Sequence, residues 1–179
     1  EDFIRAGSGL LYTPTYNANL EKLSEYGLAH QLERFNRELA QLTKAVAGGR
    51  LVAGCLSSIN HEAEPFGELP FLEIIALYAE QAFALKSGGV DLLVCDSLTS
   101  MAQCRAAILG CRQTGLPVIA TISVDTDGDT TTGSDAVATL IAAQSLGAAA
   151  FGLSCCNRPS SMLPFIKEMV PYARIPLIA

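Results

Sequence analysis

Residues 148–156 read Ala-Ala-Ala-Phe-Gly-Leu-Ser-Cys-Cys, a short apolar run that ends abruptly in two thiols. Because a buried parallel strand fills the core with its apolar part, the run predicts a central strand of an α/β protein. The carboxyl end of such a strand opens onto the face where α/β barrels place their chemistry. Cys155 is therefore a candidate functional residue.

Strand-like and helix-like segments alternate along the chain. Apolar runs predict six strands, at residues 9–12, 51–56, 90–95, 117–123, 148–154 and 175–179. Helical periodicity and glycine stops predict five helices between them, at about residues 20–46, 71–86, 100–114, 134–146 and 160–172. Ser100, with Gln103 three residues later, resembles a capping box, and Ser134 is the predicted cap of the fourth of these helices.

This alternation predicts one parallel α/β domain over residues 1–179. Every connection is long enough for a right-handed crossover between parallel strands. An open doubly wound sheet and part of a (β/α)8 TIM barrel, for which about 250 residues is typical, are the two architectures that fit. An incomplete barrel is favoured, because the chain starts without Met and ends on a strand, with nothing after it to cover the sheet. No glycine-rich phosphate loop follows the first strand, which removes the main support for the nucleotide-binding open sheet.

The composition narrows the class of partner. Of 179 residues, 50% are hydrophobic and 17% charged, so the chain can bury a large core. The net charge of −6, without a Lys/Arg cluster, argues against nucleic acid or an anionic membrane surface and favours a small neutral or zwitterionic substrate. Polar residues near 144–147 interrupt the apolar stretch 136–156, so no transmembrane segment is predicted, and no secretory signal is visible.

The six cysteines lie inside apolar periodic segments, which favours a reducing compartment and a cytoplasmic location. Cys104 and Cys111 are seven residues apart in a helical pattern. Their Cα atoms are then about 10 Å apart, too far for a disulfide, and we expect both to be buried as small apolar residues.

Polar residues follow each of the first five predicted strands. They are Thr13 and Thr15, Ser57 and Ser58, Asp96 and Ser97, Ser123 and Asp125, and Cys155 and Cys156. In a barrel these residues converge on one end. The alternative is that polar residues simply begin the loops. Cys156 is expected to face away from Cys155, because neighbours on a strand point to opposite sides.

Several segments together resemble one family. Segment 13–19, Thr-Pro-Thr-Tyr-Asn-Ala-Asn, resembles the T-x-T-[FY]-x-A-N motif after the second barrel strand of zinc-dependent homocysteine S-methyltransferases, which include the homocysteine-binding module of cobalamin-dependent methionine synthase. Segments 51–55, 88–93 and 125–133 resemble that family's third strand, its fourth strand and the loop after its fifth. Residues 152–155, Gly-Leu-Ser-Cys, resemble its G-[IV]-N-C motif, whose cysteine is a zinc ligand. The resemblance runs from the second strand to the start of the seventh.

The chain also departs from that family's pattern. The family's first strand and its final G-G-C-C segment, which supplies two more zinc thiolates, have no counterpart here, so the chain is expected to be a fragment. Asp96-Ser97 stands where the family has Glu-Thr, Ser154 where it has Asn, and Ser57-Ser58 where it has Gly-Pro. The shorter carboxylate of Asp96 leaves open a relative that acts on another thiol.

The resemblance implies methyl transfer to the zinc-activated thiolate of homocysteine or a related thiol, forming methionine. Cys155 is then one zinc ligand, with two further cysteines outside this chain. Asp96 would bind the substrate's ammonium group, with Ser97, Thr13, Thr15 and Ser123 orienting the rest. The methyl group would come from a corrinoid-binding module or from a small sulfonium or ammonium compound.

Each assignment has a structural alternative. Cys155 can be buried filler, Asp96 can cap the following helix, and Thr13 and Thr15 can be turn residues. Asp125, Asp127 and Asp129 alternate like a calcium loop, but the glycine and the twelfth position do not fit, so a solvated loop is predicted. His30 and His61 are too few for a histidine metal site or a Ser/His/Asp triad.

The alternative function is a non-catalytic domain of barrel ancestry with a binding or assembly role. Its exposed sheet edge would require a partner chain, which includes a second copy of this one as a homo-oligomer.

Overall fold

The computed structural model describes residues 2–155 and 158–179, and it has the predicted α/β alternation. The strands are β1 (Leu10–Tyr12), β2 (Leu51–Ser57), β3 (Leu92–Leu98), β4 (Val118–Ile122), β5 (Ala150–Leu153) and β6 (Leu177–Ile178). The helices are α1 (Asp2–Arg5), α2 (Leu20–Glu25), α3 (Leu32–Val46), α4 (Phe71–Ser87), α5 (Met101–Arg112), α6 (Ala136–Ser145) and α7 (Pro159–Met169). Short 3-10 turns at Ala29–Gln31 and Val170–Tyr172 complete the elements. Within the described residues, no helix is both long and apolar enough to cross a bilayer.

The six strands form one parallel sheet in sequence order, β1-β2-β3-β4-β5-β6. Sequential order with helical crossovers is the arrangement of a (β/α)8 barrel, and the curled sheet is that of an incomplete one. The predicted fold class is therefore confirmed.

The two faces of the sheet carry separate apolar clusters. Side chains that alternate along each strand, such as Leu56, Leu93 and Phe151, pack under the helices in the large core. The opposite, inner face carries a smaller cluster, whose members are Leu10, Ala53, Leu92, Val94 and Ile119. Every second residue of a strand therefore points into the barrel, and at the carboxyl ends these inward positions are polar.

The predicted helix at residues 20–46 is wrong as a single element. It is divided into α2, a 3-10 turn and α3, because α2 ends at Glu25 and is followed two residues later by Gly27, whose φ is +69°. The Leu28 N–H donates to the Leu23 carbonyl at 2.8 Å and the Gly27 N–H to Ser24 at 3.0 Å, which is a Schellman ending. The leucine periodicity continues across this break, so periodicity alone does not reveal it.

Two helix starts test the predicted caps. Ser100 is the N-cap of α5, and its Oγ accepts the Gln103 N–H at 3.1 Å, as predicted. The Gln103 side chain does not close the box; it contacts the β2–α4 loop. Ser134 is not the cap of α6, because the helix begins one residue later and Asp135 accepts the Ala138 N–H at 2.7 Å.

The end of β3 also differs from its prediction. The strand extends to Leu98 instead of ending at Cys95, so Asp96 and Ser97 lie inside it. Asp96 pairs with Ser57 of β2, while the register with β4 shifts between Cys95 and Leu98. Asp96 and Ser97, two of the predicted site residues, lie at this irregularity.

Candidate functional site

A cluster of polar side chains lies at the carboxyl ends of β3, β4 and β5. We call Asp96, Ser97, Thr121, Ser154 and Cys155 the polar cluster. Ser97 Oγ lies 3.1 Å from Cys155 Sγ and 3.0 Å from Ser154 Oγ. Thr121 Oγ1 lies 2.7 Å from Ser154 Oγ and donates to Asp96 Oδ1 at 2.6 Å. Three of the predicted site residues, Asp96, Ser97 and Cys155, are therefore brought together.

The backbone at two of these residues is left-handed. Ser97 has φ +59° and Cys155 has φ +55°, and in the described part of the chain they are the non-glycine residues with positive φ. Such a conformation costs about 1–2 kcal/mol per residue and persists only where the surroundings enforce it. Both residues turn their side chains toward one another here, as the Ser97–Cys155 contact shows.

Thr121 was not among the residues predicted for the site. Its Oγ1 also accepts the Ser97 N–H at 2.9 Å, so it contacts three members of the polar cluster. The signal that points to it is alternation: Thr121 is two residues before Ser123, hence on the same face of β4. Ser123 itself donates to the Ser154 carbonyl oxygen at 3.2 Å and lies beside the cluster.

Two tyrosines stand beside Asp96. Burial raises the pKa of Tyr12 and of Tyr16 above the ordinary value, and the Asp96 charge raises both further. A hydrogen bond with Ser97 acts in the opposite direction and lowers the pKa of Tyr16. Tyr16 occupies the aromatic position of the 13–19 segment, but it was not among the residues predicted for the site.

Thr13 and Thr15 are buried against β2. Thr13 Oγ1 accepts the Cys55 N–H at 3.0 Å, and Thr15 Oγ1 donates to the Cys55 carbonyl at 2.8 Å. The two hydroxyls are 2.6 Å apart. These hydrogen bonds fix the loop after β1 to the neighbouring strand; direct contact of either threonine with a substrate stays a prediction.

Buried amides hold the remainder of that loop. Gln81 Nε2 donates to the Thr15 carbonyl at 3.0 Å and to Asn36 Oδ1 at 3.1 Å, while Asn36 donates to the Ala18 carbonyl at 2.8 Å. Asn19 caps α2 and donates to Ser57 Oγ at 3.2 Å. The loop that presents Tyr16 is therefore anchored to α3, α4 and β2.

A second polar network joins three loops at this end of the sheet. The Glu62 carboxylate, in the β2–α4 loop, accepts hydrogen bonds from Thr99 Oγ1 at 3.2 Å, Ser100 Oγ at 2.6 Å and Gln103 Nε2 at 3.1 Å. The backbone carbonyl of Thr99 accepts the Thr131 N–H at 3.0 Å and its hydroxyl at 2.8 Å. Sequence reasoning did not identify Glu62, which lies in a polar loop.

Because Ser100 is the N-cap of α5, the alternative that Asp96 caps this helix is wrong.

The thiols differ sharply in exposure. Cys155 is exposed, whereas Cys55, Cys95, Cys104 and Cys111 are buried and free. Burial, and secondarily the Asp96 charge, raises the pKa of Cys55 to about 12. Because Cys155 is exposed, the alternative that it is a buried core residue is wrong. The expected burial of Cys104 and Cys111 is confirmed. The prediction for Cys156 falls outside the described residues.

The polar cluster offers one candidate metal ligand, the thiol of Cys155. Among residues 2–155 and 158–179, no group of three or more His, Cys, Asp or Glu side chains could hold a metal ion. Among the cysteines that the structure describes, Cys155 is the exposed one, which suits one ligand of a thiolate site but does not complete a set. The Asp125 carboxylate accepts the N–H groups of Asp129 and Asp127, which lower its pKa, and residues 125–127 are exposed, as predicted for a solvated loop.

The family model for homocysteine S-methyltransferase matches residues 1–179. The chain therefore belongs to the homocysteine S-methyltransferase family. Methionine synthases from Mycobacterium leprae and Mycobacterium tuberculosis are each 30% identical to it, over 193 and 194 residues. These matches cover 98% of this chain and 16% of each methionine synthase.

Solved structures of the Escherichia coli homocysteine methyltransferase MmuM have the same fold. Its metallated form matches with a TM-score of 0.80 at 20% identity, over 99% of this chain and 68% of that chain. Its oxidized form matches with a TM-score of 0.79 at 21% identity, over 99% and 67%. The likeness supports the incomplete barrel.

Proposed function

We propose that this chain is the homocysteine-binding part of an S-methyltransferase, which transfers a methyl group to the sulfur of homocysteine or a related thiol and forms methionine. The observation that carries the proposal is the exposed Cys155 thiol at the carboxyl end of β5, hydrogen-bonded to Ser97 beside the Asp96 carboxylate. Family membership over residues 1–179 supports the reaction type.

The proposed reaction forms one bond, between sulfur and carbon, and breaks two, the S–H bond of the thiol and the bond between the methyl group and its donor. The substrate sulfur supplies the electron pair for the new S–CH3 bond, the bond between the methyl group and its donor breaks, and that electron pair remains with the donor. The thiol proton is lost to solvent. We propose a corrinoid-bound methyl group, carried on a separate module, or a small sulfonium or ammonium compound as donor.

Asp96 would hold the ammonium group of the substrate through a charge-assisted hydrogen bond. Ser97 would orient the substrate near Cys155, and Ser123 would contribute from the adjoining strand. Thr13 and Thr15 would act from the loop after β1, where their hydrogen bonds to Cys55 support the neighbouring strand.

Zinc is the proposed cofactor, with Cys155 as one ligand and two further cysteines from outside these 179 residues. Bound zinc makes a thiol acidic enough to lose its proton near neutral pH, which leaves a nucleophilic sulfur. We further propose that the barrel needs a first strand and a C-terminal ligand segment beyond this chain. The free buried cysteines support a reducing, cytoplasmic location.

The test uses the longest native polypeptide that contains this segment. Zinc content is measured for the parent, for Cys155→Ser and for the control Asp127→Asn, which changes an exposed loop carboxylate. We expect about one zinc per chain in the parent and the control, and much less in Cys155→Ser. Absence of zinc from the parent after chelator-free purification would refute the metal mechanism and favour the non-catalytic binding role.

A second variant separates substrate binding from metal binding. Asp96→Asn should retain zinc but weaken homocysteine binding by about 10- to 100-fold, because a hydrogen bond to a charged group contributes roughly 1.5–3 kcal/mol. Calorimetric titration with homocysteine measures this. Unchanged affinity would remove Asp96 from the substrate site.

A further inference from the structure

We propose that Thr121 is a positioning residue that sets the separation between the carboxylate of Asp96 and the thiol of Cys155. This inference rests on the proposed function, in which Asp96 binds the substrate's ammonium group and the substrate sulfur lies near Cys155. Thr121 would then select the length of the thiol amino acid that fits between these two groups.

The proton and both lone pairs of the Thr121 hydroxyl take part in hydrogen bonds. One hydroxyl has a single proton and two acceptor lone pairs. The proton goes to Asp96 Oδ1 at 2.6 Å, and one lone pair accepts the Ser97 N–H at 2.9 Å. The contact of 2.7 Å with Ser154 Oγ is therefore assigned as Ser154 donating to Thr121.

These three bonds join the two sides of the site. Through Asp96 and the Ser97 backbone, Thr121 holds the end of β3, and through Ser154 it holds the residue before Cys155 on the side of β5. Thr121 lies between these strands on β4 and is 4% exposed, so water cannot readily replace its hydroxyl. Thr121 therefore adds a buried link from β3 to β5 beside the direct contacts of Ser97 Oγ with Ser154 Oγ and Cys155 Sγ.

The oxygen of Thr121 also accepts a hydrogen bond from the backbone at the irregularity in β3. The register between β3 and β4 shifts after Cys95, and the Ser97 N–H bonds to the side chain of Thr121. Removing the oxygen would leave this buried donor without its acceptor and would release Asp96 at the same time. The carboxylate and the left-handed turn at Ser97 would then shift relative to Cys155.

The experiment compares Thr121→Val, which keeps the shape of the side chain and removes its hydroxyl, with Thr121→Ser, which keeps the hydroxyl. Thr139→Val is the matched control: Thr139 is 0% exposed, and its hydroxyl donates to the carbonyl of Asp135, the N-cap of α6, and not to a member of the polar cluster. All are made in the longest native polypeptide. Calorimetry measures dissociation constants for homocysteine and for cysteine, which is one methylene shorter, and zinc content and thermal unfolding are recorded for each protein.

We expect Thr121→Val to weaken homocysteine binding by about tenfold or more and to narrow the preference for homocysteine over cysteine by a similar factor. Thr121→Ser and Thr139→Val should stay within about threefold of the parent. Zinc content should be the same in all four proteins. If Thr121→Val does not fold, Thr121→Ala is used with the same expectation.

Each result decides one proposal. A parent that binds homocysteine, together with a folded Thr121→Val variant of unchanged affinity and preference, would refute the role of Thr121 and leave the proposed function intact. Equal losses in Thr121→Val and Thr139→Val would also refute it, because they would reflect the removal of any buried hydroxyl. A parent that binds neither thiol would refute the proposed function itself.

Discussion

Cys155 and the buried thiols show how position alone separates chemically identical side chains. Cys155 follows β5 in a left-handed turn and is exposed, whereas Cys95 and Cys111 face each other in the core with their sulfur atoms 3.4 Å apart. Their hydrogen bond and burial raise the pKa of Cys95 well above its ordinary value. Reactive thiols need both access and ionisation, and Cys95 has neither.

Thiol labelling tests this difference. In metal-free native protein at pH 8, Cys155 should react with a disulfide reagent much faster than Cys55, because only about one in 10,000 of the molecules of a thiol with a pKa near 12 is ionised there. Peptide mass spectrometry assigns each modified residue. The same labelling in denaturant is the control, in which the difference should disappear. Rapid native labelling of Cys55 would contradict the buried site.

The helices around the sheet pack closely where glycine allows it. A Cβ on Gly110 of α5 would lie 2.5 Å from the Ile75 carbonyl oxygen and 3.0 Å from the Ala79 nitrogen of α4. These are backbone atoms, so no side-chain rotation can relieve the contact. The absence of a side chain at Gly110 therefore sets the separation of the two helices.

Gly110→Ala should consequently destabilise the protein. Alanine gains about 1 kcal/mol in helix propensity, but overpacking against a helix backbone costs about 1–3 kcal/mol, so a net loss of up to roughly 2 kcal/mol is expected. Denaturant unfolding measures it. Gly9→Ala is the control, because nothing lies within 4 Å of its Cβ position and its φ is not positive. A Gly110→Ala variant more stable than the parent would show that α4 and α5 separate freely.

The two ends of the sheet have different roles in the molecule as a whole. At the carboxyl ends lie the left-handed turns, the polar cluster and the network of Glu62. At the amino ends, Asp91 accepts the Val52 N–H at 2.7 Å and two hydrogen bonds from Lys44 Nζ at 2.9 Å. These bonds connect α3, β2 and the start of β3 away from the polar cluster, which is typical of stabilising contacts in barrels.

The pH dependence of unfolding follows from Asp91. The Val52 N–H, and after it Lys44, lowers the pKa of this carboxyl below its ordinary value. A lowered pKa in the folded state adds stability above the unfolded pKa of about 3.9, and this contribution is lost as the pH falls through the folded value. Asp91→Asn should therefore cost about 1 kcal/mol at pH 7, and the difference from the parent should shrink below about pH 4.

Chemical unfolding at several pH values measures that difference, with the exposed Asp127→Asn as control. Homocysteine affinity of the folded Asp91→Asn variant should equal that of the parent, because Asp91 is at the opposite end of the sheet. A stability difference that stays constant down to pH 3 would contradict the assigned ionisation.

Local sequence patterns were sufficient to predict much of this fold. The number, order and parallel arrangement of the strands, the cap at Ser100 and the position of Cys155 after β5 follow from apolar runs, glycine stops and cap residues, which act over a few neighbouring residues. The broken helix between Leu20 and Val46 did not follow, because the apolar face continues across Gly27.

The hydrogen-bonded site depended on packing. Thr121 meets Asp96 and Ser154 across 25 and 33 residues of sequence, and Thr15 meets Cys55 across 40. Which oxygen faces which donor is set by the register of neighbouring strands and by the irregularity at Ser97, and neither is encoded in a short segment. The sequence alone therefore determined which residues end the strands, and the packed sheet determined which of them touch, because hydrogen bonds require positions within a few tenths of an ångström.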